Sequence, residues 1–235
     1  MLAYWSNCLR MIARSQSNML HKLIICLSFY SSWKRSLENG RNSLDDGVPW
    51  ITFEARLFLE SVLDNRFTVF EYGAGGSTLF FSERVNRVIS VEHDPNWFYR
   101  VKDALAKREI NNCDLLFIPP EYTAQFNVNI DDPEAYCSSS ESYRGYNFYR
   151  YASYIDLFPN EFFDFIAIDG RARPSCILHA RSKVKIGGYL MLDNSERPHY
   201  QRAKGLLSDW EKHAFYGPGP YCFNFWETTI WRRIK

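Results

Sequence analysis

The chain has 235 residues, of which 46% are apolar and 23% charged, an ordinary balance for a globular protein and enough for one substantial α/β domain with a short extension. Its net charge of +1 gives no global case for a nucleic-acid binder. Cysteines at positions 8, 26, 113, 137, 176 and 222 include no C-x-x-C pair and no close Cys/His cluster, so they suggest neither a zinc site nor a disulfide framework and read as reduced thiols of a cytoplasmic protein.

Residues 1–45 differ from the rest. Arg10, Arg14, Lys22, Lys34 and Arg35 meet no acidic residue before Glu38, while Trp5, Ile12, Leu20, Leu23, Ile24, Leu27 and Tyr30 supply apolar surface. The pattern is a basic amphipathic helical extension. It either touches a membrane surface or a partner, or packs on the domain or on a second copy of it. The apolar run from Leu23 to Tyr30 is far shorter than the roughly 20 residues of a spanning helix. No small-residue cleavage site follows it, so a secretory signal is not expected either.

Beyond the turn-like Asn39-Gly40 and Asp45-Asp46-Gly47, Pro49-Trp50 opens a segment with Phe53, Leu57, Phe58 and Leu59 at helical spacing. Thr68 to Tyr72 then reads as a buried parallel strand. The turn at Gly73-Ala74-Gly75-Gly76 uses the residue that adopts unusual backbone angles cheaply and lets a ligand approach the main chain. A helix from about Ser77 to Val85 leads to the strand Arg87 to Glu92, whose terminal acid lies about 20 residues after the first glycine, where a carboxylate accepts hydrogen bonds from ribose hydroxyls. Asp94-Pro95 supplies an N-cap and a first-turn proline for a helix ending near Glu109, and Leu115 to Ile118 forms a third strand stopped by Pro119-Pro120.

This strand–turn–helix–strand unit is a nucleoside pocket, and its details argue against a nicotinamide dinucleotide. Thr78 stands where G-x-G-x-x-G has its third glycine, and Glu71 would repel a pyrophosphate. Glu71 suits a ligand carrying an amine and a sulfonium. The string Glu71-x-Gly73-x-Gly75-x-Ser77-Thr78 resembles the first motif of class I S-adenosylmethionine-dependent methyltransferases, and Ser90-Val91-Glu92-His93-Asp94 resembles their second. That resemblance covers about residues 48–235. It implies a Rossmann-like three-layer sandwich with a seven-stranded sheet, parallel apart from one late antiparallel strand, and S-adenosylmethionine held by Glu71, Gly73, Gly75, Gly76, Ser77, Thr78, Glu92, His93 and Asp169.

From Glu121 to about Arg150 the pattern breaks down into a polar stretch punctuated by Tyr122, Phe126, Tyr136, Tyr143, Tyr146, Phe148 and Tyr149. A loop this long is usually functional or disordered. It reads as a lid with substrate contacts, its tyrosines offering an apolar face and a polar tip to sugar or aromatic rings. Regularity returns with the strand Phe162 to Ile168 ending in Asp169-Gly170, a helix from Arg173 to Val184, a turn at Gly187-Gly188, and the strand Tyr189 to Leu192 ending in Asp193-Asn194. A helix around Arg202 to His213, the turn Gly217-Pro218-Gly219-Pro220 and a β-like run at Thr228 to Trp231 complete the chain.

Asp169, at a strand end where substrate and cofactor meet, is the first candidate for acid/base work, joined by Arg171 and by His199 as a general base. Arg171 and Arg173 are also placed to clamp an anionic group. Asp169, Asp193 and Asn194 resemble the divalent-metal ligands of the catechol and caffeoyl-coenzyme A O-methyltransferases, which implies Mg2+. The match departs at Ala172, where those enzymes place a lysine. Ile168-Asp169-Gly170-Arg171-Ala172-Arg173 with Leu192 to Pro198 resembles a poorly characterised bacterial methyltransferase group. The expected function is methyl transfer to oxygen or nitrogen of a small hydroxylated metabolite or glycan, with no nucleic-acid partner. The alternative is a non-catalytic protein of this fold that binds a partner or membrane surface through residues 1–45.

Overall fold

The computed structural model describes residues 2–14 and 18–235; Met1 and Ser15 to Ser17, part of the expected extension, lie outside the described residues. Helices α1 (Leu2–Arg14) and α2 (Met19–Ser36) lie against each other and against the domain. Tyr4, Cys8, Met11, Ile25, Cys26 and Trp33 bury themselves with Phe53, Tyr216 and Phe225. Tyr4 donates its hydroxyl to the Cys26 carbonyl at 2.8 Å, and the Trp33 indole reaches the Cys222 carbonyl at 2.8 Å. The opposite side of α2 leaves Leu20, Leu23, Ile24 and Leu27 exposed. None of the described helices is long and apolar enough to cross a membrane.

The domain follows as α3 (Ser43–Asp46), α4 (Phe53–Val62), β1 (Thr68–Tyr72), α5 (Gly76–Ser82), β2 (Arg87–Glu92), α6 (Pro95–Lys107), β3 (Cys113–Phe117), β4 (Glu121–Gln125), β5 (Gly145–Asn147), α7 (Tyr149–Ser153), β6 (Phe163–Ile168), α8 (Arg173–Ala180), β7 (Val184–Asp193), α9 (Gln201–Gly205), β8 (Glu211–Gly217) and β9 (Trp226–Arg232). Seven strands form one sheet in the order β3-β2-β1-β6-β7-β9-β8, with β9 antiparallel to both its neighbours. Successive side chains alternate between faces. Phe70, Ile166, Ile168 and Leu190 point to the layer containing α7, α8 and α9, whereas Val69, Phe165, Ala167 and Met191 point to the layer containing α4 and α5. This is the expected three-layer sandwich. Parallel register, with Tyr72 beside Val91 and Ile168, and Ile168 beside Leu192, brings the carboxyl ends of β1, β2, β6 and β7 to one edge.

Four expectations need correction. The 121–150 segment is not one long loop: β4 and β5 pair as an antiparallel hairpin, and Phe148 and Tyr151 are buried in the main core. Of its aromatic residues, Phe148 is buried and Tyr136, Tyr143 and Tyr146 pack against that core, whereas Tyr122, Phe126 and Tyr149 stay exposed. The helix expected over 173–184 stops at Ala180, and β7 begins already at Val184. Gly187-Gly188 is no turn but an irregularity inside β7, held by Gly187 N–H to the Arg233 carbonyl (2.7 Å) and Arg233 N–H to the Gly188 carbonyl (2.9 Å). The helix expected to His213 ends at Gly205, because residues 211–217 pair along β9 as an edge strand.

Gly73 turns the chain at φ +94°, and a Cβ there would lie 2.7 Å from the main chain of Gly170. Gly205, in contrast, has nothing within 4 Å of where its Cβ would stand. Chemical denaturation should show Gly73→Ala losing more than about 1 kcal/mol and Gly205→Ala losing none or gaining about 0.5–1 kcal/mol.

Candidate functional site

The aligned strand ends open into a cavity of about 1050 Å3, the position at which open α/β sheets bind ligands. One wall is the loop from Gly73 to Ser77. A tether to β2 sets its shape. Gly73 N–H donates to the Val91 carbonyl at 2.9 Å, and Glu92 Oε2 accepts from Ala74 N–H at 3.0 Å. The other oxygen, Oε1, accepts from the main-chain N–H groups of His93 and Asp94, both at 2.7 Å. Hydrogen bonds to a charged group contribute about 1.5–3 kcal/mol each, so Glu92 is the main clasp between loop and strand. It also lines the cavity.

Glu71 and Thr78 lie beneath this loop rather than in the cavity wall. Glu71 is 1% exposed, and its Oε2 accepts from the hydroxyls of Thr78 (2.6 Å) and Ser90 (2.7 Å). Thr78 Oγ1 in turn accepts from Gly75 N–H at 2.9 Å. Burial pushes the Glu71 carboxyl up to about 7, against the downward pull of the Ser77, Thr78 and Ser90 hydroxyls. Both residues shape the turn from below, a correction to their expected place against the cofactor.

The β2 side adds a wall the sequence reading did not single out. Asp94 caps α6 by accepting from Trp97 N–H at 2.8 Å, which turns Trp97 toward the loop, where its indole donates to the Ala74 carbonyl. Arg100 lies over the Trp97 ring at 4.7 Å. The only sequence signal was Asp94-Pro95-Asn96-Trp97 as a helix start, which fixes the cap and says nothing about the indole. Next to Glu92, His93 makes edge contact with Tyr143, whose ring lies under the Arg171 guanidinium at 5.6 Å. Tyr143 is the one tyrosine of the aromatic segment that lines this cavity.

The β6 and β7 ends meet at Arg173, which is 7% exposed. Its Nε donates to the Gly170 carbonyl (3.0 Å), one terminal nitrogen to the Asp169 carbonyl (2.6 Å) and Asp169 Oδ1 (2.8 Å), and the other to the Asp193 carbonyl and Asn194 Oδ1 (3.3 Å). Asp193 is buried as well, its Oδ1 accepting from Trp226 Nε1 at 2.8 Å and Thr228 Oγ1 at 2.6 Å. Arg197 donates to Asn194 Oδ1 at 2.9 Å. Burial pushes the Asp169 carboxyl up, and Arg173, Arg197 and Arg171 pull it back. Burial also raises Asp193, with Asp169 adding to the effect.

Three expectations fail on this geometry. Asp169, Asp193 and Asn194 do converge, but the guanidinium of Arg173 stands between them, hydrogen-bonded to Asp169 Oδ1 and Asn194 Oδ1 and 4.0 Å from Asp193 Oδ2, so with Arg173 in place these residues do not fit Mg2+. Arg173, with its N–H groups engaged, is equally unable to clamp a substrate. His199 does not line the cavity; it lies with Ser138, Ser139, Pro174 and Tyr200 in an adjoining recess that shares Gly170, Arg171, Arg173 and Arg197 with it, and burial lowers its pKa. Arg197 and Trp226 line the cavity without having been singled out. Arg197 stood in plain view in the 192–198 motif, but sequence gives no direction for its side chain.

No protein-family model matches the chain, and no curated protein matches it. Among solved structures it is similar to the O-methyltransferase TomG from Streptomyces achromogenes, involved in tomaymycin synthesis and in complex with SAM, at 12% identity and a TM-score of 0.59 over 88% of this chain and 96% of that one. It is also similar to an O-methyltransferase from Bacillus cereus in complex with SAH, at 13% identity and a TM-score of 0.54 over 90% of this chain and 91% of that one. The fold is that of the class I S-adenosylmethionine-dependent methyltransferases.

The raised carboxyl of Glu71 gives a pH test. Its stabilising contribution is complete below the ordinary carboxylate range, where both folded and unfolded states are protonated, and is lost as pH rises through about 7. Glu71→Gln, which carries no such charge, should therefore gain stability relative to the parent between pH 5 and pH 8, by up to about 3 kcal/mol. Paired urea melts at the two pH values measure it.

Proposed function

We propose that this chain is an S-adenosylmethionine-dependent methyltransferase acting on a hydroxyl of a small acceptor. The observation that carries the reading is a single cavity bounded on one side by the Glu92-clasped glycine loop and on the other by Asp169. At about 1050 Å3 it exceeds what one small ligand needs and has room for a nucleoside and an acceptor together. The similar structures with bound SAM and SAH, both O-methyltransferases, support the choice of cofactor and of oxygen as the acceptor atom.

The residues fit such a cofactor. The exposed peptide edge of Gly73 to Ser77 suits an amino-acid moiety, and Glu92 presents a carboxylate to the ribose. Trp97 and His93 line the same cavity and offer aromatic rings to a base. When bound, S-adenosylmethionine supplies an electrophilic methyl group on a sulfonium. The protein holds an acceptor oxygen in line with it and removes a proton, and such positioning alone is worth about 7–11 kcal/mol.

Asp169 takes that proton. Arg173 holds Oδ1, and Oδ2 forms no hydrogen bond among the described residues. The carboxylate is thus oriented on one side and free on the other. With the cofactor bound, its methyl group would pass from sulfur to the acceptor oxygen, leaving the thioether, and Asp169 would accept the hydroxyl proton. Arg171, whose guanidinium has no hydrogen bond or ion pair among the described residues, and Tyr143 border the acceptor.

Calorimetric titration with S-adenosylhomocysteine tests the reading. The parent protein should bind it, and Glu92→Gln should weaken binding about 10- to 100-fold, because an amide cannot replace both accepting oxygens. Absence of binding by the parent, or preference for a nicotinamide dinucleotide, would contradict it.

A further inference from the structure

Six oxygens surround the Arg173 guanidinium: the carbonyls of Asp169, Gly170 and Asp193, the side-chain oxygens Asp169 Oδ1 and Asn194 Oδ1, and Asp193 Oδ2 at 4.0 Å. Among the described residues, no nitrogen or sulfur acceptor belongs to this shell. All-oxygen sets with two carboxylates are what hard divalent cations such as Mg2+ and Mn2+ select.

Electrostatics explain why this place must hold a cation. Asp193 is buried and Asp169 half-buried, and the Arg173 guanidinium lies 2.8 Å from the Asp169 carboxylate and 4.0 Å from that of Asp193; carboxylates so far removed from water need a compensating positive charge. Arginine meets the need without an exchangeable ion, since a guanidinium stays protonated at any physiological pH and its planar fork serves several acceptors at once. It has no coordination position to offer a substrate, however. A metal can bind and acidify an acceptor hydroxyl, whereas Arg173 can only fix Asp169.

We propose that Arg173 is an internal replacement for a divalent cation, and that its guanidinium fills a latent Mg2+/Mn2+ site made by Asp169, Asp193 and Asn194. In this arrangement Arg173 is a positioning residue that acts through Asp169. The metal-free chemistry rests on the proposed methyl transfer, but the latent site does not, so its test uses metal uptake alone.

Electron paramagnetic resonance of free Mn2+ is the readout. Titration into the parent protein should leave the free-ion signal undiminished. Arg173→Ala should remove about one Mn2+ per chain from it, competitively with Mg2+, and the additional change Asp169→Asn should abolish that uptake. Arg173→Lys keeps a cation in the seat, so it should stay folded and silent. Uptake by the parent or by Arg173→Lys that Asp169→Asn removes would overturn the proposal, as would a folded Arg173→Ala that takes up none. If Arg173→Ala is unfolded without metal, the proposal requires that Mn2+ restore its circular-dichroism spectrum and that Asp169→Asn prevent the rescue; failure to rescue would overturn it.

Discussion

The structure turns on one buried charge. Arg173 stands at the start of α8, yet its guanidinium reaches across the ends of β6 and β7 and takes up five oxygens there. Removing one partner from such a buried pair typically costs about 3–5 kcal/mol, because the remaining charge has no water to turn to. That constraint fixes Asp169 and Asn194, and with them the acceptor side of the cavity. On the opposite side the same logic recurs with the sign reversed. The Glu92 carboxylate gathers three main-chain N–H groups and so fixes the glycine loop. An anion organises the cofactor wall and a cation the acceptor wall.

Much of the fold was legible because its signals are local. The strands over 68–72, 87–92 and 163–168 are buried on both faces and read as short apolar runs. Asp94-Pro95 marked its helix by cap chemistry, and the structure shows Asp94 accepting from Trp97 N–H. The failures share another cause, since they depend on partners distant in sequence. Residues 211–217 form a strand only because β9 offers an edge. Gly187-Gly188 stays within β7 because Arg233 exchanges hydrogen bonds with it. The tyrosine-rich segment gave no regular period because several of its rings pack against elements far apart in the chain; the Tyr136 hydroxyl, for instance, lies 3.2 Å from His179 Nε2 in α8.

The site was legible in residue type and less so in role. Gly73, Gly75, Gly76, Ser77, Glu92, His93, Asp169, Arg171, Asp193 and Asn194 all line the cavity. Glu71 and Thr78 were recognised as part of the motif but lie one layer deeper. Motifs record which residues a turn needs, and a residue that shapes the turn is as constrained as one that touches a ligand. Ala172 was the clue to the metal question. Without the lysine expected there, the cation in that region comes from one residue further on, and only the course of the Arg173 side chain shows that it occupies the seat itself.

The central claim, a nucleoside-and-acceptor cavity with a guanidinium in the cation seat, is tested most directly by a crystal structure of the protein grown with S-adenosylhomocysteine and Mn2+. The account predicts the nucleoside against Trp97 and His93, its sulfur directed toward Asp169, and no anomalous Mn2+ peak among Asp169, Asp193 and Asn194. A Mn2+ peak there with Arg173 displaced, or a cavity that admits no nucleoside, would contradict it.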